Sequence, residues 1–243
     1  MRMVDAHIHL DFYDNIEIVL NRIIACDIQA VFVTHLPELF ERYHNQISMH
    51  PNITLALGYH PILIKEYNLN EPLFQRLKGK TKFIGEVGLD YSITSSQSLR
   101  AKQRDAFTFI CKSIDDQILS IHSRLADEDT LEILINNGVK KAIFHWYSGS
   151  EKLVSKIVEQ GYFFSVNQAM LRSNKGVGIL KLIPLNRLLI ETDGPFTKYR
   201  GHVVSPIDLK DIYKDFTEFY QADNIAKLIW RNYSNLVNDQ GQI

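Results

Sequence analysis

The sequence predicts a closed (β/α)₈ barrel, the TIM-barrel class of α/β protein. Eight short apolar runs recur along the chain, and helix-periodic stretches separate them. Histidines and carboxylates gather at the C-terminal ends of the runs, the rim where barrels of this class carry their active sites. An open, doubly wound sheet would show the same alternation. The count of eight and the placement of the polar residues favour closure. No Gly-x-Gly-x-x-Gly turn follows any run, so dinucleotide binding has no support.

Met3–Leu10 opens the chain as a strand, and Asp14–Cys26 follows with apolar residues at three- and four-residue spacing. Ala30–His35 and Ile53–His60 are the next strands, with a helix over Glu38–Met49 between them. A helix over Glu71–Leu77 leads to the fourth strand, Phe83–Leu89, and a longer one over Ser98–Asp116 to the fifth, Ile118–Ser123. The stripe Leu99, Phe107, Ile110 and Ile114 marks the face of that longer helix that packs on the barrel. Helices over Glu128–Asn137, Ser150–Glu159 and Ser173–Leu182 separate the strands Lys141–Trp146, Tyr162–Asn167 and Arg187–Asp193. Asp127 and Ser148 or Ser150 serve as N-caps, and Gly138 and Gly161 end two helices. Residues 194–206 form a long loop, and Pro206–Tyr220 and Ala222–Val237 read as closing helices. The Val-, Ile- and Phe-rich strands suit a parallel sheet buried on both faces.

Composition narrows the classes. Of 243 residues, 45% are hydrophobic and 23% charged, as in an ordinary globular protein. No apolar run is long enough to span a bilayer, and the first strand is not preceded by a secretory leader pattern, so a cytoplasmic location is expected. No composition break divides the chain, and one domain over residues 1–243 is expected, acting as a monomer. Cys26 and Cys111 lie within helical patterns and read as small buried residues rather than a disulfide. The net charge of −1 argues against a broad basic face for nucleic acid, leaving a local patch or metal ions to handle any phosphate.

His7 and His9 share one strand face, an arrangement suited to chelation. His35, His60, His122 and His145 also stand at strand ends, with Glu86 on the fourth strand and Asp193 on the eighth. So many imidazoles and carboxylates at one rim need a cation or mutual pairing to be withdrawn from water. Their mix suits zinc, manganese or magnesium, and their number suggests two ions. His7, His9 and Asp193 would hold one and His122 and His145 the other, with Glu86 bridging. Glu86 and Asp193 are thus the catalytic carboxylates, Asp193 doubling as general base toward a water activated by the two metals. Asp5 and Glu191, two residues before ligands, are expected to fix imidazole tautomers.

Six motifs in order then resemble the TatD-like metal-dependent deoxyribonucleases of the amidohydrolase superfamily. They are Asp5-Ala6-His7-Ile8-His9-Leu10, Gly58-Tyr59-His60-Pro61, Gly85-Glu86-Val87-Gly88-Leu89-Asp90, Ile121-His122-Ser123-Arg124, Phe144-His145-Trp146-Tyr147-Ser148-Gly149 and Glu191-Thr192-Asp193-Gly194-Pro195. The resemblance covers nearly the whole chain, and the family's metal ligands map onto His7, His9, Glu86, His122, His145 and Asp193. It implies hydrolysis of DNA phosphodiester bonds, here from an end of a single strand, with two divalent ions as cofactors. The compact form resembles TatD-like members of anti-phage defence gene clusters, which implies protein partners in a defence complex. Two departures stand out. The family proline before the fifth-strand histidine is absent from Ile118-Leu119-Ser120, and the family run Arg-Gly-Lys-x-Asn-Glu-Pro reads Arg200-Gly201-His202-Val203-Val204-Ser205-Pro206.

Substrate contacts are expected from His60, from Arg124 and Arg200 gripping phosphate, and from Trp146 and Tyr147 stacking a base. Arg172, Lys175 and Lys198 lie in neighbouring loops, and Asn167 and Gln168 at the seventh strand end. His44, His50 and His35 are assigned to surface or core. Two other readings keep the fold. One is an amidohydrolase-type esterase, lactonase or aminoacyl-tRNA deacylase; the other is a barrel that serves as a subunit of a larger complex.

Overall fold

The structure is a computed structural model and describes residues 2–47 and 49–238. Ser48, inside the predicted second helix, and the ends of the expected 1–243 domain lie outside the described residues.

Eight parallel strands follow the predicted order: β1 (Met3–Ile8), β2 (Ile28–Val33), β3 (Ile53–Ala56), β4 (Phe83–Asp90), β5 (Ile118–Arg124), β6 (Ala142–His145), β7 (Phe163–Val166) and β8 (Leu188–Ile190). The intervening helices are α1 (Ile16–Ala25), α2 (Pro37–Ile47), α3 (Glu71–Leu77), α4 (Gln97–Ser113), α5 (Asp127–Asn136), α6 (Glu151–Glu159) and α7 (Asn174–Leu182). Two more, α8 (Leu209–Tyr220) and α9 (Ile225–Asn238), complete the chain. Continuous ladders join β1 to β3 and β4 to β8. The predicted long loop holds a two-residue antiparallel ribbon, Lys198–Tyr199 against His202–Val203, and the start of the first closing helix is a 3₁₀ turn over Pro206–Asp208. Asp127 does not cap α5; its carboxylate accepts from the Ser150 amide at 2.7 Å and so steadies the start of α6. Among the described residues no helix is long and apolar enough to cross a membrane.

Two seams close the barrel, and neither is a full ladder. Between β3 and β4, Leu57 donates to the Phe83 carbonyl at 3.0 Å and accepts from Gly85 at 2.9 Å. Gly58 is required here, because a Cβ would lie 1.6 Å from the Thr34 carbonyl oxygen. Between β8 and β1, the Asp193 amide donates to the His7 carbonyl at 3.0 Å and the His9 amide to the Gly194 carbonyl at 2.9 Å. The buried Asp5 carboxylate accepts from the Thr192 amide at 2.8 Å and hydroxyl at 2.7 Å, where a longer strand would have paired backbone to backbone. Lower on the same seam, the Tyr213 hydroxyl of α8 accepts from the Val4 amide at 3.0 Å and donates to the Val4 carbonyl at 2.9 Å.

One side chain therefore satisfies both backbone groups of Val4, and each would cost about 1–3 kcal/mol if left buried without a partner. Tyr213→Phe should lower the melting temperature by several degrees, since a domain of this size loses about 2–4 °C per kcal/mol. Thermal unfolding measures this, and an unchanged melting temperature would show that the Val4 groups are satisfied in another way.

Candidate metal centre

All six predicted ligands meet at the C-terminal rim, arranged around the Glu86 carboxylate. Glu86 Oε2 lies 3.4 Å from both His7 Nε2 and His9 Nε2. Its other oxygen, Oε1, lies 2.7 Å from His122 Nδ1, 3.1 Å from His145 Nε2 and 3.2 Å from His60 Nε2. Asp193 Oδ1 is 3.3 Å from His9 Nε2 and 3.9 Å from His7 Nε2. Asp193 has a left-handed backbone, φ 48°, which a short polar side chain tolerates and which turns the chain sharply at the rim.

Local sequence explains these positions. Alternation along β4 puts Glu86, Gly88 and Asp90 on one face. Gly88 sits opposite His122 in the β4–β5 register with φ +135°, and a Cβ there would lie 2.0 Å from the His122 carbonyl oxygen. With no side chain between the two carboxylates, the His122 ring spans them: its Nδ1 meets Glu86, and its Nε2 lies 2.9 Å from Asp90 Oδ2. His145 is held in the same way from the residue after β8, with Nδ1 3.4 Å from Glu191 Oε1. For His7 the partner is Ser120, whose Oγ lies 2.8 Å from Nδ1. Asp5, expected to orient an imidazole, is instead committed to the Thr192 seam, and Ser120 fills the role. Asp90 and Ser120 went unassigned in the sequence, although each stands an even number of residues from a ligand on the same strand.

The charges sort into two classes. Burial would raise the Glu86 carboxyl, but His60, His145 and His122 outweigh it and hold it well below its ordinary value. Burial opposes charge on His145 and His122 too, yet Glu86 and Glu191 raise the first well above its ordinary value, and Asp90 and Glu86 raise the second. Burial pushes His7 down to about 4 and His9 to about 3, so both are neutral. Burial likewise raises Asp193, while it is outweighed at Asp90, which hydrogen bonds from His122 and Ser92 bring to about 2. His7 Nε2 and His9 Nε2 face each other at 3.1 Å, and the buried Nδ1 of His9 has no partner. Two neutral imidazoles turned toward one carboxylate are suited to sharing a cation. The wider cluster offers several overlapping donor groups, including His7, His9 and Glu86, and Glu86, His122 and His145.

Five of the six donors, His9, Glu86, His122, His145 and Asp193, line a cavity of about 800 Å³, and His7 lies behind them. Trp146 and Arg124 line it as well, and Arg124 is the one Lys or Arg to do so among the described residues. His35, assigned to surface or core in the sequence, also lines it, stacked on His9 with ring centroids 4.7 Å apart. Two expected substrate contacts fall elsewhere. Tyr147 is buried against Phe144 and Phe164, and its hydroxyl donates to Asp127 and to the Ser150 carbonyl, so it is a packing residue. Arg200 lies over the Tyr199 ring, 3.7 Å from Asp211, outside the cavity lining. His202, in place of the family lysine, pairs with Asp208 at 3.1 Å.

Residues 4–238 match the family described as TatD related DNase. Among curated relatives, the human deoxyribonuclease TATDN3 is 27% identical over 220 residues, covering 79% of this chain and 78% of its own. YcfH of Escherichia coli K12, described as an uncharacterized metal-dependent hydrolase, is 25% identical over 262 residues, covering 97% and 96%. The same fold occurs in the crystal structure of YJJV, a TatD homolog of Escherichia coli K12, with a TM-score of 0.86 at 22% identity, covering 97% of this chain and 98% of that one. A TatD family hydrolase of Entamoeba histolytica superposes with a TM-score of 0.81 at 18% identity, covering 97% of each chain.

Two outcomes follow from the way the imidazoles are held. Asp90→Asn should weaken divalent-ion binding about 10- to 100-fold, the usual cost of losing the partner that orients a ligand. Calorimetric titration checks this, and wild-type affinity would remove Asp90 from that role. His122 and His145 must also lose their protons to ligate, so affinity should climb as pH rises past neutrality and uptake should release protons. Binding heats that do not depend on the buffer's ionisation enthalpy would contradict this.

Proposed function

This chain belongs to the TatD related DNase family, and from that premise we propose that it is a metal-dependent hydrolase of DNA phosphodiester bonds. In this reading two divalent ions serve it, and it removes nucleotides from an end of a single strand. The observation that carries the reading is the split of donors about Glu86. One oxygen serves His7 and His9 and the other serves His122 and His145, with Asp193 on the His9 side. His7, His9, Glu86 and Asp193 would hold one ion, and Glu86, His122 and His145 the other.

Bound ions would polarise a water and the phosphoryl oxygens, the recurring chemistry of paired-metal sites. Asp193, on the His9 side of Glu86, would accept the proton that such a water gives up. Arg124 grips a non-bridging phosphate oxygen with its planar fork. His60 takes the Ile62 amide on Nδ1 at 3.1 Å, so Nε2 carries the N–H; it faces Glu86 Oε1 at 3.2 Å and would turn to the leaving oxygen once a bound ion takes up that carboxylate oxygen. Glu86, Asp90, Glu191 and Ser120 hold the rings in place and keep their lone pairs aimed inward. The cavity lies within the ordinary range for small-ligand sites, about 300–1,000 Å³, which favours one terminal nucleotide over the interior of a duplex.

A second reading, an esterase, lactonase or aminoacyl-tRNA deacylase, draws on the aliphatic part of the lining, Leu36, Leu39, Ile62 and Leu63. A single-stranded oligonucleotide assayed beside ester substrates separates the two. Glu86→Ala and His122→Ala should each reduce strand cleavage to background while the circular dichroism spectrum stays native. Full activity in either variant, or ester turnover without strand cleavage by the wild type, would overturn the proposal.

A further inference from the structure

Two phenylalanines stand beside the donor set in matching positions, and the reaction as derived uses neither. Phe12 follows His9 by three residues, and its amide donates to the His9 carbonyl at 3.3 Å. Phe196 follows Asp193 by three residues, and its amide donates to the Asp193 carbonyl at 2.9 Å. The same one-turn geometry, repeated after β1 and after β8, thus brings both phenyl rings to His9, Phe12 edgewise at 6.0 Å. The rings meet at the cavity mouth with centroids 5.1 Å apart, tilted by 57°. Phe196 sets its ring edgewise to His9 at 5.0 Å, and Phe12 is edgewise to His35 at 4.9 Å. Packing fixes both rings on one side, yet Phe12 is 50% exposed and Phe196 53%.

Two large apolar rings left half in water beside a metal centre mark a recognition surface rather than a core. A half-buried phenyl ring gives up little rotamer freedom on binding, since only two torsions position it. An aliphatic chain would gain only area from such a surface. A flat aromatic partner gains stacking as well, about 1–3 kcal/mol per base in single-strand binders.

We propose that Phe12 and Phe196 form the platform on which the terminal nucleobase stacks while its phosphate lies toward Arg124 at the edge of the donor set. This rests on the phosphodiesterase reading and deepens it. A base inside a duplex has both faces covered by its neighbours, and one in a blunt terminal pair is still tied to its partner strand, so an unpaired strand end is the form that can bring its base fully onto the rings. The platform thereby sets the substrate class as base-bearing single-stranded ends, with little preference for base identity, since every base has a π-face.

The test reads binding rather than turnover. The probe is a single-stranded oligonucleotide with 2-aminopurine at its 3′ or 5′ end and a methylphosphonate last linkage, which is not cut. The control is the same strand ended by a base-less tetrahydrofuran spacer and followed by fluorescence anisotropy. Phe12→Leu and Phe196→Leu keep apolar volume and remove the aromatic face. Each should weaken binding of the base-bearing strand about tenfold and reduce quenching of the 2-aminopurine, with spacer binding and melting temperature unchanged. The result should hold with chelator present and with divalent ion added. Equal wild-type affinity for the two strands, or an equal loss for both in the variants, would overturn the platform. Cleavage is read separately on the same strand with an ordinary last phosphodiester: a stacked base on the uncut probe with no cleavage of that strand would remove the nuclease reading and leave the platform standing.

Discussion

A carboxylate buried among imidazoles is the constraint on which this molecule depends. Glu86 is withdrawn from water and faces His7, His9, His60, His122 and His145 within 3.4 Å. A lone buried anion would cost many kcal/mol, so positive charge must stand beside it. His122 and His145, both raised by the carboxylates beside them, are suited to supply it as imidazolium, and divalent ions could take over the same role once those protons leave. The fold is thus compatible with both conditions, because the carboxylate at its centre is neutralised in each. That continuity lets a reactive cluster form the floor of a barrel without opening it.

The surrounding strands supply the cluster with fixed orientation. Asp90, Glu191 and Ser120 each engage the ring nitrogen that points away from Glu86; Asp90 and Ser120 lie on strands that also carry a ligand, and Glu191 follows β8 two residues before Asp193. Buried polar side chains elsewhere around the rim are committed in a different way. Asp5 and Tyr213 serve the β8–β1 seam, and the Thr34 hydroxyl donates to the Ala56 carbonyl at 2.9 Å and accepts from the Gly58 amide at 3.1 Å. Where neighbouring strands are too short to complete a ladder, side chains satisfy the backbone. Seam and site share the same few residues of β1 and β8, so closure of the barrel and assembly of the donor set are one structural event.

Much of this was legible in the chain itself. The eight apolar runs correspond to eight strands, because burial on both faces leaves a compositional mark that does not depend on tertiary detail. The donors at strand ends were legible because topology alone carries those ends to one rim. Side-chain direction was less so. Tyr147 follows a ligand-bearing motif as closely as Trp146 does, yet adjacent residues leave the backbone in different directions; Tyr147 turns into the core while Trp146, at φ +36°, stays at the mouth. Arg200 failed for a similar reason, since the ribbon after β8 aims it at Asp211 and Tyr199. His35 was set aside because nothing in Val33-Thr34-His35-Leu36 shows that its ring will stack on His9. Phe12 and Phe196 passed as ordinary apolar residues, and only the paired turns reveal that they flank the site.

The charge of the cavity bears on how a nucleic acid would be held there. Arg124 is the one Lys or Arg among its described lining residues, and the chain as a whole carries a net charge of −1. A protein that tracks a phosphate backbone needs a row of cations along the path, each displacing a counterion. Among the described residues the cavity has no such row, so in the proposed reaction positive charge for the scissile phosphate would come from bound ions and a single guanidinium. Binding energy for the rest of the nucleotide must then come from uncharged contact, and the lining supplies it as rings and aliphatic side chains. Such a site would engage one residue of a nucleic-acid substrate closely and the remainder of the strand weakly, as the proposed action at an end requires.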